Sequence, residues 1–132
     1  MPDISIIIQH CTGRCSGNGI YQLLIDAARE YASCPHPGVL LRIDDVACFL
    51  RCEENGLFYV ETGTVTRYYG VRAFEDDTIL LDPGSFEESI NRLIRDNLPA
   101  GLKDEFDGFV RDYALRHSAR IRYCVSNPGA TH

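Results

Sequence analysis

Apolar and polar residues follow two different periods along this chain, and the places where the period changes mark out its elements. Ile4, Ile6, Ile7 and Ile8 are apolar at both alternating positions, the pattern of an interior strand covered on both faces. A helical period follows: Ile20, Leu23, Leu24, Ala27, Ala28 and Tyr31 fall on one stripe, with Ser16 or Asn18 available as a cap and Pro35 and Pro37 as stops. Residues 39–43 then read as a second strand closed by Asp44 and Asp45. Strand, helix and strand in this order make a βαβ unit. Such a crossover is right-handed in nearly all cases and leaves its strands parallel, with both carboxyl ends on one edge of the sheet.

Residues 57–61 and 64–69 are β-rich, and Thr62-Gly63 between them predicts an antiparallel hairpin. Residues 72–84 carry a weaker pattern, with an exposed turn at Glu75-Asp76-Asp77 and room for a short strand at 78–81. Ser85-Phe86-Glu87-Glu88 matches a capping box, and Phe86, Ile90, Leu93 and Ile94 form the buried stripe of a helix that Pro99 would end. A last helix is expected over 103–117, where Leu102, Phe106, Phe109, Val110 and Tyr113 share a face. Its acids Asp104, Glu105 and Asp107 lie early and its bases Arg116, His117 and Arg120 late, as the helix dipole favours. The tail from Ser126 to Gly129 reads as a turn or frayed end. The class is α/β: a mixed sheet built from a βαβ unit, a hairpin and a helix, with an extra C-terminal helix. No repeat or linker interrupts it.

Length and composition narrow the function classes. A chain of 132 residues suits one core, so residues 1–100 are read as the main domain and 101–132 as an extension packed on it. No apolar run approaches the roughly 20 residues needed to span a bilayer, and the amino-terminal residues lack a signal-like pattern, so a cytoplasmic protein is expected. A net charge of −6 argues against general nucleic-acid binding and favours a partner with a basic surface.

The candidate chemistry lies in the cysteines. Of six, four form two pairs, Cys11 with Cys15 and Cys48 with Cys52, each with Cys-x3-Cys spacing and each just after a predicted strand. If the two strands are neighbours, their axes are about 4.8 Å apart, and if one strand intervenes, about twice that; either way four sulfurs converge on one edge of the sheet. In a chain read as cytoplasmic, that pattern points to a four-thiolate metal site rather than to disulfides. The spacing also admits a structural zinc. The bland alternative makes Cys48 and Cys52 small apolar residues on a buried helical face.

This order of strand, Cys loop, helix, strand, Cys-x3-Cys, hairpin and helix resembles the thioredoxin-like [2Fe-2S] ferredoxins, the family that includes the small iron–sulfur subunit of respiratory complex I and of related hydrogenases. The resemblance covers residues 4 to 98. It implies that Cys11, Cys15, Cys48 and Cys52 hold one [2Fe-2S] cluster and that the protein carries single electrons to or from a redox protein, without being an enzyme itself. The first pair is more tightly spaced than is usual in that family, and Glu53-Glu54-Asn55-Gly56 stands where the family often has Gly-Pro. The other classes to weigh are a zinc-bearing or metal-free interaction module of the same fold and a cysteine-based redox enzyme or sensor. The C-terminal extension would cover part of the core or a homodimer seam.

The remaining signals are weak. Cys34 and Cys124 read as structural or incidental. His10, next to Cys11, is expected to be a strand-end histidine more often than a substitute ligand. Gly17-Asn18-Gly19 lacks the third glycine of a dinucleotide loop, since Gln22 occupies that place. Arg116, Arg120 and Arg122 read as surface charge.

Overall fold

The structure is a computed structural model that describes residues 4–11, 19–36, 38–46, 58–63, 65–70, 78–82 and 84–126. It is mixed α/β, with a five-stranded mixed sheet and, among the described residues, four α-helices.

Strand β1 (Ile4–Cys11) and strand β2 (Val39–Val46) pair in parallel, joined through helix α1 (Gly19–Ala32). Asp44 and Asp45 lie inside β2, opposite Gln9 and His10, rather than closing it. The strand sits at the end of the sheet order, where polar side chains on one face still meet solvent, and Asp44 is held there by the Arg42 guanidinium at 3.0 Å.

Strand β3 (Phe58–Thr62) runs antiparallel to β1, and strand β4 (Val65–Gly70) antiparallel to β3. Thr62 pairs with Val65, so the two-residue turn begins at Gly63, one position later than the sequence reading placed it. Gly63 has φ +61°, the left-handed conformation that the first turn residue of a tight hairpin requires and that glycine adopts without strain. The two-residue strand β5 (Ile79–Leu80) adds in parallel to β4 and completes the order β2-β1-β3-β4-β5.

The strand register puts Ile6, Ile8, His10, Val39, Leu41, Phe58, Val60 and Tyr69 on one face, and all are buried. Ser5, Ile7, Gln9, Leu40, Arg42, Tyr59, Glu61 and Tyr68 share the other face, and none is fully buried. The expectation that β1 is covered on both sides is therefore corrected. Its interior place in the sheet holds, but the helices pack on one face, so Ile7 remains partly exposed. Alpha-helical residues Ile20, Leu23, Leu24, Ala27 and Ala28 of α1 supply much of that helix layer.

Helix α2 (Phe86–Leu93) starts where the capping signal places it: Ser85 is extended and its Oγ accepts from the Glu88 N–H at 3.2 Å. Glu88 itself pairs with Arg92 at 2.9 Å. Phe86, Ile90, Leu93 and Ile94 are buried, as their spacing predicts. The helix ends well before Pro99, in a tight 3-10 turn (Arg95–Asn97). There the Asn97 side-chain amide donates to the Leu93 carbonyl at 2.9 Å and satisfies an acceptor that the helix end leaves open. Pro99 instead precedes helix α3 (Ala100–Arg116), where its missing N–H costs nothing.

The sequence reading expects one terminal helix, whereas the chain forms two. His117 leaves helical geometry (φ −120°, ψ 27°), and helix α4 (Ser118–Ser126) follows. Arg116 pairs with Glu30 and with Asp112, and Arg120 pairs with Asp26 at 2.6 Å, so the segment beyond the bend is tied back to α1. Cys124 is buried on α4, and Phe106, Val110 and Tyr113 of α3 join the same core as the sheet.

Candidate metal centre

The candidate site starts from the pairing of β1 and β2. Parallel pairing holds from Ile4 opposite Val39 to Cys11 opposite Val46, so both strands deliver their carboxyl ends to the same edge. Cys11 and Val46 are therefore on adjacent strands, whose axes are about 4.8 Å apart. The chain leaves Cys11 towards Cys15, and it leaves Val46 towards Cys48 two residues on. Cys15, Cys48 and Cys52 lie outside the described residues, and Cys11 is described as a backbone position only. Helix α1 begins after the first of these segments. Phe58, which opens β3, pairs with His10 and brings a third element to the same end.

His10 is 3% exposed and belongs to the helix-covered face. Its Nε2 lies 3.2 Å from the Arg29 guanidinium. Arginine has no acceptor, so Nε2 accepts and the ring proton sits on Nδ1. The ring meets Tyr21 edge-on at 6.4 Å, and Tyr21 stacks on Phe58 at 4.4 Å. These contacts make His10 a core histidine whose Nε2 lone pair is taken up by Arg29, which does not suit that nitrogen to replace a thiolate.

The other two cysteines are elsewhere. Cys34 is exposed, beyond the carboxyl end of α1 and near the start of β2, at the opposite end of the βαβ unit from Cys11. Cys124 is buried on α4. Neither has a disulfide partner. Among the described residues no group of three or more His, Cys, Asp or Glu side chains is arranged to hold a metal ion.

Two polar clusters escape sequence reasoning. Asn97, 9% exposed, donates to the Tyr69 hydroxyl at 3.0 Å and accepts from Thr62 and Arg67 at 3.4 and 3.3 Å, so one side chain ties the hairpin to the α2–α3 junction. At the other end of α1, His36 stacks on Tyr31 and its two nitrogens contact the Tyr31 carbonyl at 2.6 Å and Glu105 at 3.0 Å. The Tyr31 hydroxyl also donates to Glu105, at 3.1 Å. Burial pushes the Tyr31 phenol well above the ordinary tyrosine range, and the neighbouring Glu105 charge adds to the shift. The residue identities alone do not reveal these clusters, because each joins segments far apart in sequence, Asn97 to Tyr69 across 28 positions and Tyr31 to Glu105 across 74. The reading of Arg116 and Arg120 as surface charge is refined in the same way, since both face acids of α1.

Among the described residues no helix is long and apolar enough to cross a membrane. Comparison of the chain with protein-family models, with curated proteins and with solved structures finds no match in any of the three.

Proposed function

We propose that this protein is a small cytoplasmic one-electron carrier with a thioredoxin-like fold, holding a [2Fe-2S] cluster on Cys11, Cys15, Cys48 and Cys52. The observation that carries the reading is the register of β1 and β2, which sets Cys11 opposite Val46 and starts both cysteine-bearing segments from one edge of the sheet. The sheet order supports it as well. A βαβ unit, an antiparallel hairpin added beside β1, and a helix after the hairpin together form the unit on which the family resemblance rests.

The donor set fits the group chemically. Four thiolates match the ligand count of a [2Fe-2S] cluster, and their softness and charge suit iron and sulfide. When bound, the cluster supplies one-electron chemistry and needs no substrate pocket. The chain contributes the ligands and the closely spaced strand ends that bring them together. Gly13, Gly17 and Gly19 allow close backbone approach to the sulfurs, where N–H donors raise the potential of such a cluster. The net charge of −6 suits transient docking to a redox protein with a basic face, with charge speeding the encounter.

The test is purification without oxygen, or reconstitution with iron and sulfide, followed by metal analysis and visible and EPR spectra. The expected result is red-brown protein with about two irons and two sulfides per chain. Replacing Cys11, Cys15, Cys48 or Cys52 by Ser should each impair the cluster, while Cys34→Ser and Cys124→Ser should not. Colourless protein with one tightly held zinc would move the reading to a structural zinc module. Metal-free protein with one hyper-reactive thiol would move it to a cysteine-based enzyme or sensor.

A further inference from the structure

A cleft of about 670 Å³ lies between α2 and α3. Its volume falls within the range of small-molecule sites, roughly 300–1,000 Å³. Glu87 and Asn91, one helical turn apart, line it from α2, and Val110, Arg111, Ala114 and Leu115 line it from α3. The end nearest the interhelical turn is closed by Arg95 and Asp107, bonded to each other at 2.7 Å. That pair is internally satisfied, and Arg95 holds the Asp107 carboxyl below the usual carboxylate range.

Three groups in the rest of the cleft make no direct bond among the described residues, although Arg111, one turn from Asp107, adds to the field that holds that carboxyl low. Glu87 and Arg111 form no ion pair among the described residues. The Asn91 side-chain oxygen is cut off from solvent with no hydrogen-bond partner among them. A buried acceptor left unmatched is destabilising, so a donor brought into the cleft has something to gain by meeting it. The mixed signs restrict what such a ligand can be. A simple anion meets Glu87 and Asp96, and a simple cation meets Arg111. A molecule bearing both charges on adjacent atoms satisfies both walls.

We propose that this cleft binds a small zwitterion of the α-amino acid type with an apolar side chain. Its ammonium sits between Glu87 and Asn91, which turns its amide oxygen towards the new donor. Its carboxylate faces Arg111, and its side chain covers Val110, Ala114 and the exposed Leu115. Binding is non-covalent and independent of the metal reading.

The experiment is calorimetric and NMR titration of the full chain with L-leucine, L-leucine methyl ester and N-acetyl-L-leucine. L-leucine should bind, and each blocked analogue, lacking one charge, should bind at least about tenfold more weakly. Arg111→Gln should weaken L-leucine by a similar factor and leave the methyl ester unchanged, whereas Glu87→Gln should weaken L-leucine and leave the N-acetyl compound unchanged. Both side chains are exposed and form no ion pair among the described residues, so both variants should fold, as circular dichroism would check. The proposal is overturned if millimolar L-leucine shifts no resonance of α2 or α3, if the blocked analogues bind as well as L-leucine, or if either variant weakens all three compounds alike.

Discussion

Asn97 provides the sharpest test of how this fold is held together. Its amide makes two bonds of good length, to the Leu93 carbonyl at 2.9 Å and to the Tyr69 hydroxyl at 3.0 Å. Two longer ones, from Arg67 and Thr62 at 3.3 and 3.4 Å, lie beyond the best range and count for little. A net hydrogen bond contributes about 0.5–1.5 kcal/mol, and a buried group left without its partner costs about 1–3 kcal/mol. Leu93 is fully buried, so Asn97→Ala strands its carbonyl as well as removing the Tyr69 contact. The expected loss is about 2–3 kcal/mol, a large share of the roughly 5–15 kcal/mol that holds a typical domain together. Tyr69→Phe removes one bond only and should cost about 1 kcal/mol. The assay is urea unfolding followed by far-UV circular dichroism, with the midpoint falling and the slope unchanged. A double-mutant cycle of the two substitutions should return a coupling of about 1 kcal/mol. A loss below about 0.5 kcal/mol for Asn97→Ala, or a coupling indistinguishable from zero, would refute the view that this side chain joins the hairpin to the helix layer.

Other outcomes follow from single contacts. Ser85→Ala should lower stability by about 1 kcal/mol in the same urea assay, because it deletes the cap on α2, and Ser85→Gly should cost less. Arg120→Ala should cost no more than about 1 kcal/mol, since its pair with Asp26 is well exposed to solvent, and the difference from the parent protein should shrink as salt is added. Stability should decline as pH rises above about 10, the ordinary tyrosine value. There the unfolded chain loses the Tyr31 proton while the folded chain, whose pKa is raised, still holds it, so the loss grows until the folded phenol also ionises. Tyr113, also raised by burial, adds to the same slope, so Tyr31→Phe should reduce it without abolishing it; an unchanged slope would remove Tyr31 as a contributor.

Much of the architecture was legible because local signals and long-range packing agree. The isoleucines of β1, the stripe of α1 and the Ser85 cap each state their element within a few residues, and the elements fall where those signals put them. The misreadings arise where a neighbour decides. Asp44 and Asp45 look like a strand end, yet they extend β2 because β1 continues beside them to Cys11. Pro99 looks like the end of α2, but Asn97 has already closed that helix from a turn whose role depends on Tyr69, 28 positions away. The helix expected to stop at His117 does stop there; what goes unread is helix α4 beyond the bend, which no proline or glycine sets off. The bend's two sides are tied to α1 by ion pairs that sequence distance hides, Arg116 to Glu30 and Arg120 to Asp26, 86 and 94 positions earlier. For the candidate centre, the parallel pairing of the two strands was readable from the βαβ order, and it stands. The thiolates of Cys15, Cys48 and Cys52 belong to segments outside the described residues, so their convergence rests on the proposal above.

The two margins of the sheet bear on how the molecule behaves in a crowded solution. An open strand flank is a template onto which another chain can add, and long, flat, apolar flanks invite stacking into fibrils. Among the described residues one margin is the two-residue β5, too brief to recruit a strand, and the other, β2, carries Arg42 and Asp44 paired on its outer surface. A newcomer aligning with β2 would have to desolvate that charged pair, so the margin works as a gatekeeper against polymerisation. Erasing both charges would trade that protection for a tendency to form amyloid-like aggregates.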